Sequence, residues 1–334
     1  MTSTQDASLG LAVEGTYGTG VTVTRWLEYI DESFDFNKNI KQGVGLRVGG
    51  RVARSARRVV PTADAGGDFS MECTSKGMGL VWQACLGTGA STLVSGSTFQ
   101  QVFTLGDNPS SLTMQKGLVE AGLTVDAYTF TGCMVDSFEI SCANGDIVIL
   151  KCTVDAKDVT TATGYASPSY ATTPSLFQFA GGSISSGTLT APTSTALASG
   201  STSVGDVRSF SLKVDNNVKQ DRYNFGGAGR KAKPTVGLRV ITGQMEIEYD
   251  STTFRDAVIN DTPMALILNF VTTTALSTGV ETLQVIVPEI KFDSELPKTN
   301  GTDLISQSMA FQGLDNLTAA QPLWVVCRTA DAAL

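Results

Sequence analysis

The strongest constraint on this chain is that it carries much of its pattern twice. A shift of 176 positions sets 33–75 against 209–251 without a gap, and nine of those 43 positions are identical. They are Ser33/Ser209, Phe34/Phe210, Gly50/Gly226, Arg54/Arg230, Ala56/Ala232, Val60/Val236, Gly67/Gly243, Glu72/Glu248 and Ser75/Ser251. Random pairing at ordinary composition gives about two or three. A repeat of this kind predicts one supersecondary unit used twice. The length agrees, since 334 residues at about 150 per domain suggest two domains, each able to bury its own core.

Within each copy the order of features is the same. An alternating strand comes first, with Phe34 and Phe36 in one copy and Phe210, Leu212 and Val214 in the other. A long basic loop containing glycine follows. Next, Phe69, Met71 and Cys73 alternate with Asp68, Ser70 and Glu72, as Met245, Ile247 and Tyr249 alternate with Gln244, Glu246 and Glu248. Period-2 alternation means one buried face and one wet face. Short helices are predicted over 77–86 and 252–260, with Ser75 and Ser251 as N-caps. Met78, Val81 and Cys85, or Phe254, Val258 and Ile259, would face the sheet. Further strands are expected at 101–105, 111–116 and 264–272. A closing hairpin is expected at 133–142 and 146–155 about Asn144-Gly145, and another at 283–293 and 304–311 about Asn300-Gly301.

The expected organisation is therefore mainly β. It comprises an N-terminal arm over 1–24, a first module over 25–158, a Ser/Thr/Gly-rich linker or surface excursion over 159–205, a second module over 206–319, and a C-terminal tail over 320–334 that docks through Trp324 on a body or a partner.

Composition removes several function classes. With no histidine, serine–histidine and cysteine–histidine catalysis within the chain is excluded, and the commonest metal ligand is absent. No phosphate-binding loop, dinucleotide fingerprint or nucleophile elbow occurs. Hence no enzyme activity, cofactor or metal is expected. The six cysteines form no CxxC pair and read as buried reduced thiols. No stretch approaches the length of a membrane span, and the start of the chain lacks a signal-peptide pattern, so no membrane partner and a place in the cytoplasm are expected. A net charge of −8 argues against a protein whose main task is to grip nucleic acid.

Basic residues nevertheless gather at corresponding places in the two copies. Arg47, Arg51, Arg54, Arg57 and Arg58 crowd the first loop; Lys219, Arg222, Arg230, Lys231 and Lys233 crowd the second. Stacking aromatics, Tyr223 and Phe225, occur in the second loop alone, so single-stranded nucleic acid fits poorly. A solvated hairpin is the plain reading of each loop; contact with the acidic face of another subunit is the favoured one, because opposed charge fixes register between identical units. Head-to-tail contacts of that kind generate rings or stacked arrays.

Several segments resemble the tail tube proteins of long-tailed bacteriophages. Glu14-Gly-Thr-Tyr-Gly-Thr19 is similar to the family's opening motif; the strand, helix and Leu-Gly ending of 67–87, the segment 130–141 and the strand 207–217 resemble others in the same order. The resemblance implies two tandem tail-tube-type β-sandwich modules, each with one flanking helix. It implies a structural virion protein whose rings stack into a conduit for double-stranded DNA. Three two-module chains would make each ring, with a ring of six chains as the alternative. The basic loops would reach the adjacent ring. An acidic lumen would repel DNA, with Glu72, Glu139, Glu246, Glu248 and Glu289 as candidate wall residues. The implied partners are tape measure protein and genomic DNA in the lumen, and terminator and tip proteins at the ends. Rival readings are another virion β-protein, such as a tail terminator or head decoration protein, a glycan- or receptor-binding surface protein, and a hydrolase working through carboxylates alone.

Overall fold

Where apolar and polar residues alternate the chain extends, and these extensions are laddered into two layers. The structure is a computed structural model describing residues 4–122, 124–204, 207–249, 252–293, 296–297 and 305–334. The first half contains β1 (Ser8–Val13), β2 (Arg25–Leu27), β3 (Tyr29–Glu32), β4 (Asp35–Gln42), β5 (Arg58–Glu72), α1 (Gly79–Leu86), β6 (Gly87–Ser95), β7 (Thr98–Leu105), β8 (Leu112–Val119), β9 (Val125–Cys142), β10 (Ile149–Ala156) and β11 (Asp158–Thr160). The second contains β12 (Gly182–Gly187), β13 (Thr202–Val204), β14 (Val207–Asp215), β15 (Val240–Glu248), α2 (Thr253–Ile259), β16 (Met264–Ala275), β17 (Val280–Phe292), β18 (Ser306–Gly313) and β19 (Trp324–Thr329). All described strand pairs are antiparallel.

The ladders run in the same order in both halves. In the first, β4 pairs with β5, β5 with β10, β10 with β9, and β9 with β8. In the second, β14 pairs with β15, β15 with β18, β18 with β17, and β17 with β16. Even the irregularities correspond. Leu112 faces Cys133 and Met114 faces Phe130, so the register slips by one between them; Met264 faces Ile290 and Leu266 faces Val287, with the same slip. A bulge of this type redirects a strand, and it recurs here at the start of β8 and of β16.

The outer strands follow the same plan. β1 lies on β8 with β2 beside it, and β12 lies on β16 with β13 beside it. Residues 1–24, expected as an arm, thus contribute β1, and 159–205, expected as a linker or excursion, contribute β12 and β13. The two segments hold matching places. Their strands are short, and in β12 and β13 serine and threonine replace the apolar residues that announce a strand.

Two features break the repeat. The first half alone inserts the β6–β7 hairpin between its helix and β8. The C-terminal strand β19 then pairs with β17 on one side and β7 on the other, tying the halves together. This is where the expected tail docks, with Trp324 buried.

The halves also share one sheet. β14 pairs with the last part of β9, from Phe210 opposite Cys142 to Asp215 opposite Ser137. Over the first part of β9 the neighbours are β8 and β11, so this strand passes from one layer to the other. Between the layers, Leu9, Leu11 and Met114 pack into one core with Phe69, Phe138 and Leu212. The Phe34 and Phe130 rings lie 5.2 Å apart across that gap.

Helix α1 buries Val81, Trp82, Cys85 and Leu86, and the Trp82 ring meets Phe138 edge-on at 6.3 Å. Gly87, in the left-handed region at φ +100°, ends the helix and starts β6. Neither helix has a side-chain cap: the capping positions are Met78 and Thr252. Ser75 Oγ instead accepts the Ser175 N–H, and Ser251 lies outside the described residues. On α2, Phe254 and Ala257 are buried whereas Ile259 is exposed. The helix ends at Ile259, and that last position rotates off the apolar stripe. The β9–β10 hairpin turns at Asn144-Gly145, with Gly145 at φ +75°; Asn300-Gly301 lies outside the described residues. All six cysteines are buried and free.

Candidate functional site

One row of facing residues crosses the shared sheet from half to half. Ser70 faces Lys151, Lys151 faces Glu139, Glu139 faces Lys213, Lys213 faces Thr242, Thr242 faces Gln312, and Gln312 faces Lys291. The adjacent row is Met71, Leu150, Ile140, Leu212, Gly243, Phe311 and Phe292. Directly opposed residues share a face and successive residues alternate. The sheet therefore has one apolar face, buried in the core, and one polar face that continues through both halves. Gly243 has a packing reason: a Cβ there would lie 2.2 Å from the Phe311 ring.

Parity places all five candidate wall carboxylates, Glu72, Glu139, Glu246, Glu248 and Glu289, on the polar face, and all are partly exposed. The face is mixed rather than uniformly acidic. Glu139 sits between Lys151 and Lys213, and Glu248 meets Arg208 at 3.7 Å. Glu246 faces Ser209 and Ser308.

The two basic loops differ sharply. The loop between β14 and β15 folds back onto the first half. The Ala63 N–H of β5 donates to the Gly229 carbonyl, just past the point where β10 ends opposite Ala65. On one side of that seam Arg230 Nε reaches Asp158 at 2.7 Å, and its guanidinium lies 5.4 Å from the Phe36 ring centre. On the other side Lys231, only 3% exposed, bonds to both Asp64 and Asp155. Burial pulls Lys231 down, but hydrogen bonds to the two carboxylates outweigh it and its pKa ends up raised. Burial pushes Asp155 up to about 6, even against the pull of that ammonium. Lys233 bonds to Asn108 at 2.7 Å, while Lys219 and Arg222 are exposed.

The loop between β4 and β5 touches nothing of the kind. Its base is closed by the Gly43 N–H on the Arg57 carbonyl, and Gln42 bonds to the Arg54 carbonyl. Arg47, Arg51, Arg57 and Arg58 are exposed, Arg54 is half-buried, and Val44, Leu46, Val48 and Val52 are 85% exposed or more.

The motif at 14–19 acquires a physical meaning. Glu14 is 5% exposed and accepts four hydrogen bonds, from the Gly18 and Gly132 N–H groups and the Ser111 and Thr113 hydroxyls, at 2.6–3.0 Å. Tyr17 packs beside Lys157, whose ammonium lies 5.3 Å from its ring centre, and Gly18 holds φ +71°. Asp64, Asp155 and Asp158 were not singled out from sequence. Their signal lay in comparing what faces each basic loop, which requires the ladders.

Among the described residues no cluster of three metal-binding side chains occurs, and no helix is long and apolar enough to cross a membrane. A cleft of about 340 Å³ where β12 and β13 meet β14 is lined by Phe179, Ile184, Val207, Phe210 and Phe270. Its ionisable lining residue is Cys142, whose thiol burial pushes up to about 11, leaving it a poor nucleophile.

A search of curated proteins finds no match. The profile of the phage tail tube protein family matches residues 4–313, from the approach to β1 through the last residue of β18. Such a match covers nearly all of a β-rich chain whose two halves share one sheet, and the chain belongs to the phage tail tube protein family, structural proteins of the virion tail.

Proposed function

We propose that this chain forms the tube wall by repeating between copies the junction it makes within itself. The carrying observation is the β9–β14 ladder, which adds a strand of one half to the sheet of the other. β3 and the start of β4 hold in the first half the place of β14 in the second, and among the described strands both pair with β5 alone. Their outer edge is open, and an open edge is a template for strand addition. Two modules per chain joined this way favour three chains per ring, giving six similar junctions. The polar face would then line the lumen. Its five candidate carboxylates outnumber the lysines Lys151, Lys213 and Lys291 of the same face, so phosphate finds few places to bind, and double-stranded DNA, and the tape measure protein before it, can move through. Terminator and tip proteins would close the ends, and assembly would precede release from the host cytoplasm.

One backbone group tests this directly. The Ala63 N–H points away from β4, towards Gly229. In an antiparallel pair both residues turn the same way, so Lys38, opposite Ala63, turns its own N–H to the open edge. Lys38→Pro removes that donor and leaves the β4–β5 ladder intact. Purified wild-type protein should show rings or tubes in negative stain, and Lys38→Pro should stay as folded single chains. Wild-type protein that remains single chains at high concentration and salt would defeat the assembly reading.

A further inference from the structure

We infer that the loop between β4 and β5 docks on the second half of a neighbouring copy, at the place corresponding to where the β14–β15 loop docks within the chain. This rests on the proposed self-assembly and names the contact that joins the copies laterally. The inference follows from what occupies each corresponding position. The ladder registers equate β10 with β18 residue for residue, Ile149 with Ser306 through Ala156 with Gly313, and the same offset extended two residues past the ladders sets Asp158 against Asp315. The ungapped alignment equates Arg54 with Arg230, Ser55 with Lys231 and Val240 with Asp64.

Two kinds of contact hold the docked loop, and they behave differently under this correspondence. The exterior pair, Arg230 with Asp158, has an intact counterpart in Arg54 and Asp315. The triad of buried Lys231 and Asp155 with exposed Asp64 corresponds to Ser55, Val240 and Gln312, so the cation and both carboxylates are neutral together. Losing Lys231 alone would leave the buried Asp155 carboxylate unpaired, at a cost of several kcal/mol. Neutralising all three keeps a site complementary to its own loop. A loop that faced only solvent would place no such demand on residues in the other half.

The surfaces agree. Arg54 has no side-chain partner among the described residues, and Asp315 meets no cation, accepting the Leu317 N–H at 2.9 Å. Two residues beyond Asp315 is Leu317, and just before β15 is Leu238, 91% and 88% exposed. They match the bare Val44, Leu46, Val48 and Val52 of the loop. Exposed apolar residues grouped on both sides of a charge-complementary pair are what an interface between copies presents. The internal contact lies beside the β9–β14 ladder and joins halves in one sheet. Its counterpart therefore joins neighbours within a ring rather than one ring to the next.

The test is a charge swap. Arg54→Glu and Asp315→Arg, each alone, should raise the protein concentration needed for assembly at least tenfold by sedimentation velocity. The double variant should restore most of it. Each single variant should melt as the wild type does before assembly, because both side chains lie on the surface of the isolated chain. If wild-type protein assembles and neither single change shifts that concentration, the docking contact is wrong while the assembly reading stands. If wild-type protein never assembles, the assembly reading fails and takes this contact with it.

Discussion

The β14–β15 loop is locked to its own chain by a buried lysine held between two aspartates and by an exterior ion pair, whereas the β4–β5 loop, aligned with it without a gap, projects into solvent. Both are basic, and they join corresponding strands, β4 to β5 and β14 to β15. The difference is in what lies beside them. The second loop has the first half as a neighbour in the same polypeptide; the first loop has none until another copy arrives. One sequence pattern therefore gives a finished internal seam and an unfinished external one. The finished seam shows which residues the unfinished one needs.

The sharpest way to break the comparison is at Lys231. Lys231→Met leaves Asp155 buried and uncompensated, which should cost about 3–5 kcal/mol. The corresponding change on the bare loop, Ser55→Ala, should stay within about 0.5 kcal/mol. The deficit should also depend on pH. A lysine whose folded pKa is raised contributes stability that is full below its ordinary value and lost as pH rises through the raised one. On the acid side, Asp155 takes up a proton near 6 and no longer needs a counter-charge. Denaturant melts of wild type and Lys231→Met should differ most between those limits and converge outside them. A constant difference across pH would show that the triad is packing rather than electrostatics.

A second, smaller asymmetry concerns the outer strands. Glu14 anchors the turn after β1, while the residue in the matching place after β12 is apolar: the β1–β8 and β12–β16 registers carry Glu14 onto Leu189. Glu14→Ala strands four donors, two of them backbone N–H groups, and should cost about 2–3 kcal/mol. Leu189→Ala, at a partly buried position, should cost about 1 kcal/mol. Equal losses at the two places would mean that the outer strands are held by packing alone.

How far the sequence revealed this molecule depended on the residue types involved. Strands with large apolar residues in alternation, such as β5 and β15, announced themselves, and so did the repeat that pairs Glu72 with Glu248. Strands β12 and β13 did not, because Ser, Thr and Gly carry no periodic signal when a strand is short. The cap of the first helix was misread because Ser75 bonds across to Ser175 instead of to its own helix. The carboxylates of the polar face were readable from parity. Their neighbours were not, since Lys151 and Lys213 flank Glu139 only after two ladders are set. The aspartates that hold Lys231 could not be found without the fold: they lie 76 and 167 residues before it, with no local pattern linking them.

The smallest expected effects lie on that polar face, and there the two halves again differ. Glu139 sits between two lysines, so Glu139→Lys would put three ammonium groups in a row and cost up to about 1 kcal/mol by like-charge opposition. Glu246 faces two serines, so Glu246→Lys should stay within about 0.5 kcal/mol. Neither should stop tubes from forming, because neither lies at the β4 edge or under a loop. Both should slow DNA passage, since each new cation gives phosphate a place to pause. Glu246→Lys should slow it more per unit of stability lost, because no neighbouring lysine already offers that site. Added salt should speed passage through both variants towards the wild-type rate, as screening over about 10 Å weakens the hold. Ejection timed by dye release from particles carrying each variant measures this. Rates equal to wild type at low salt would mean that the face turned to the DNA is not this one.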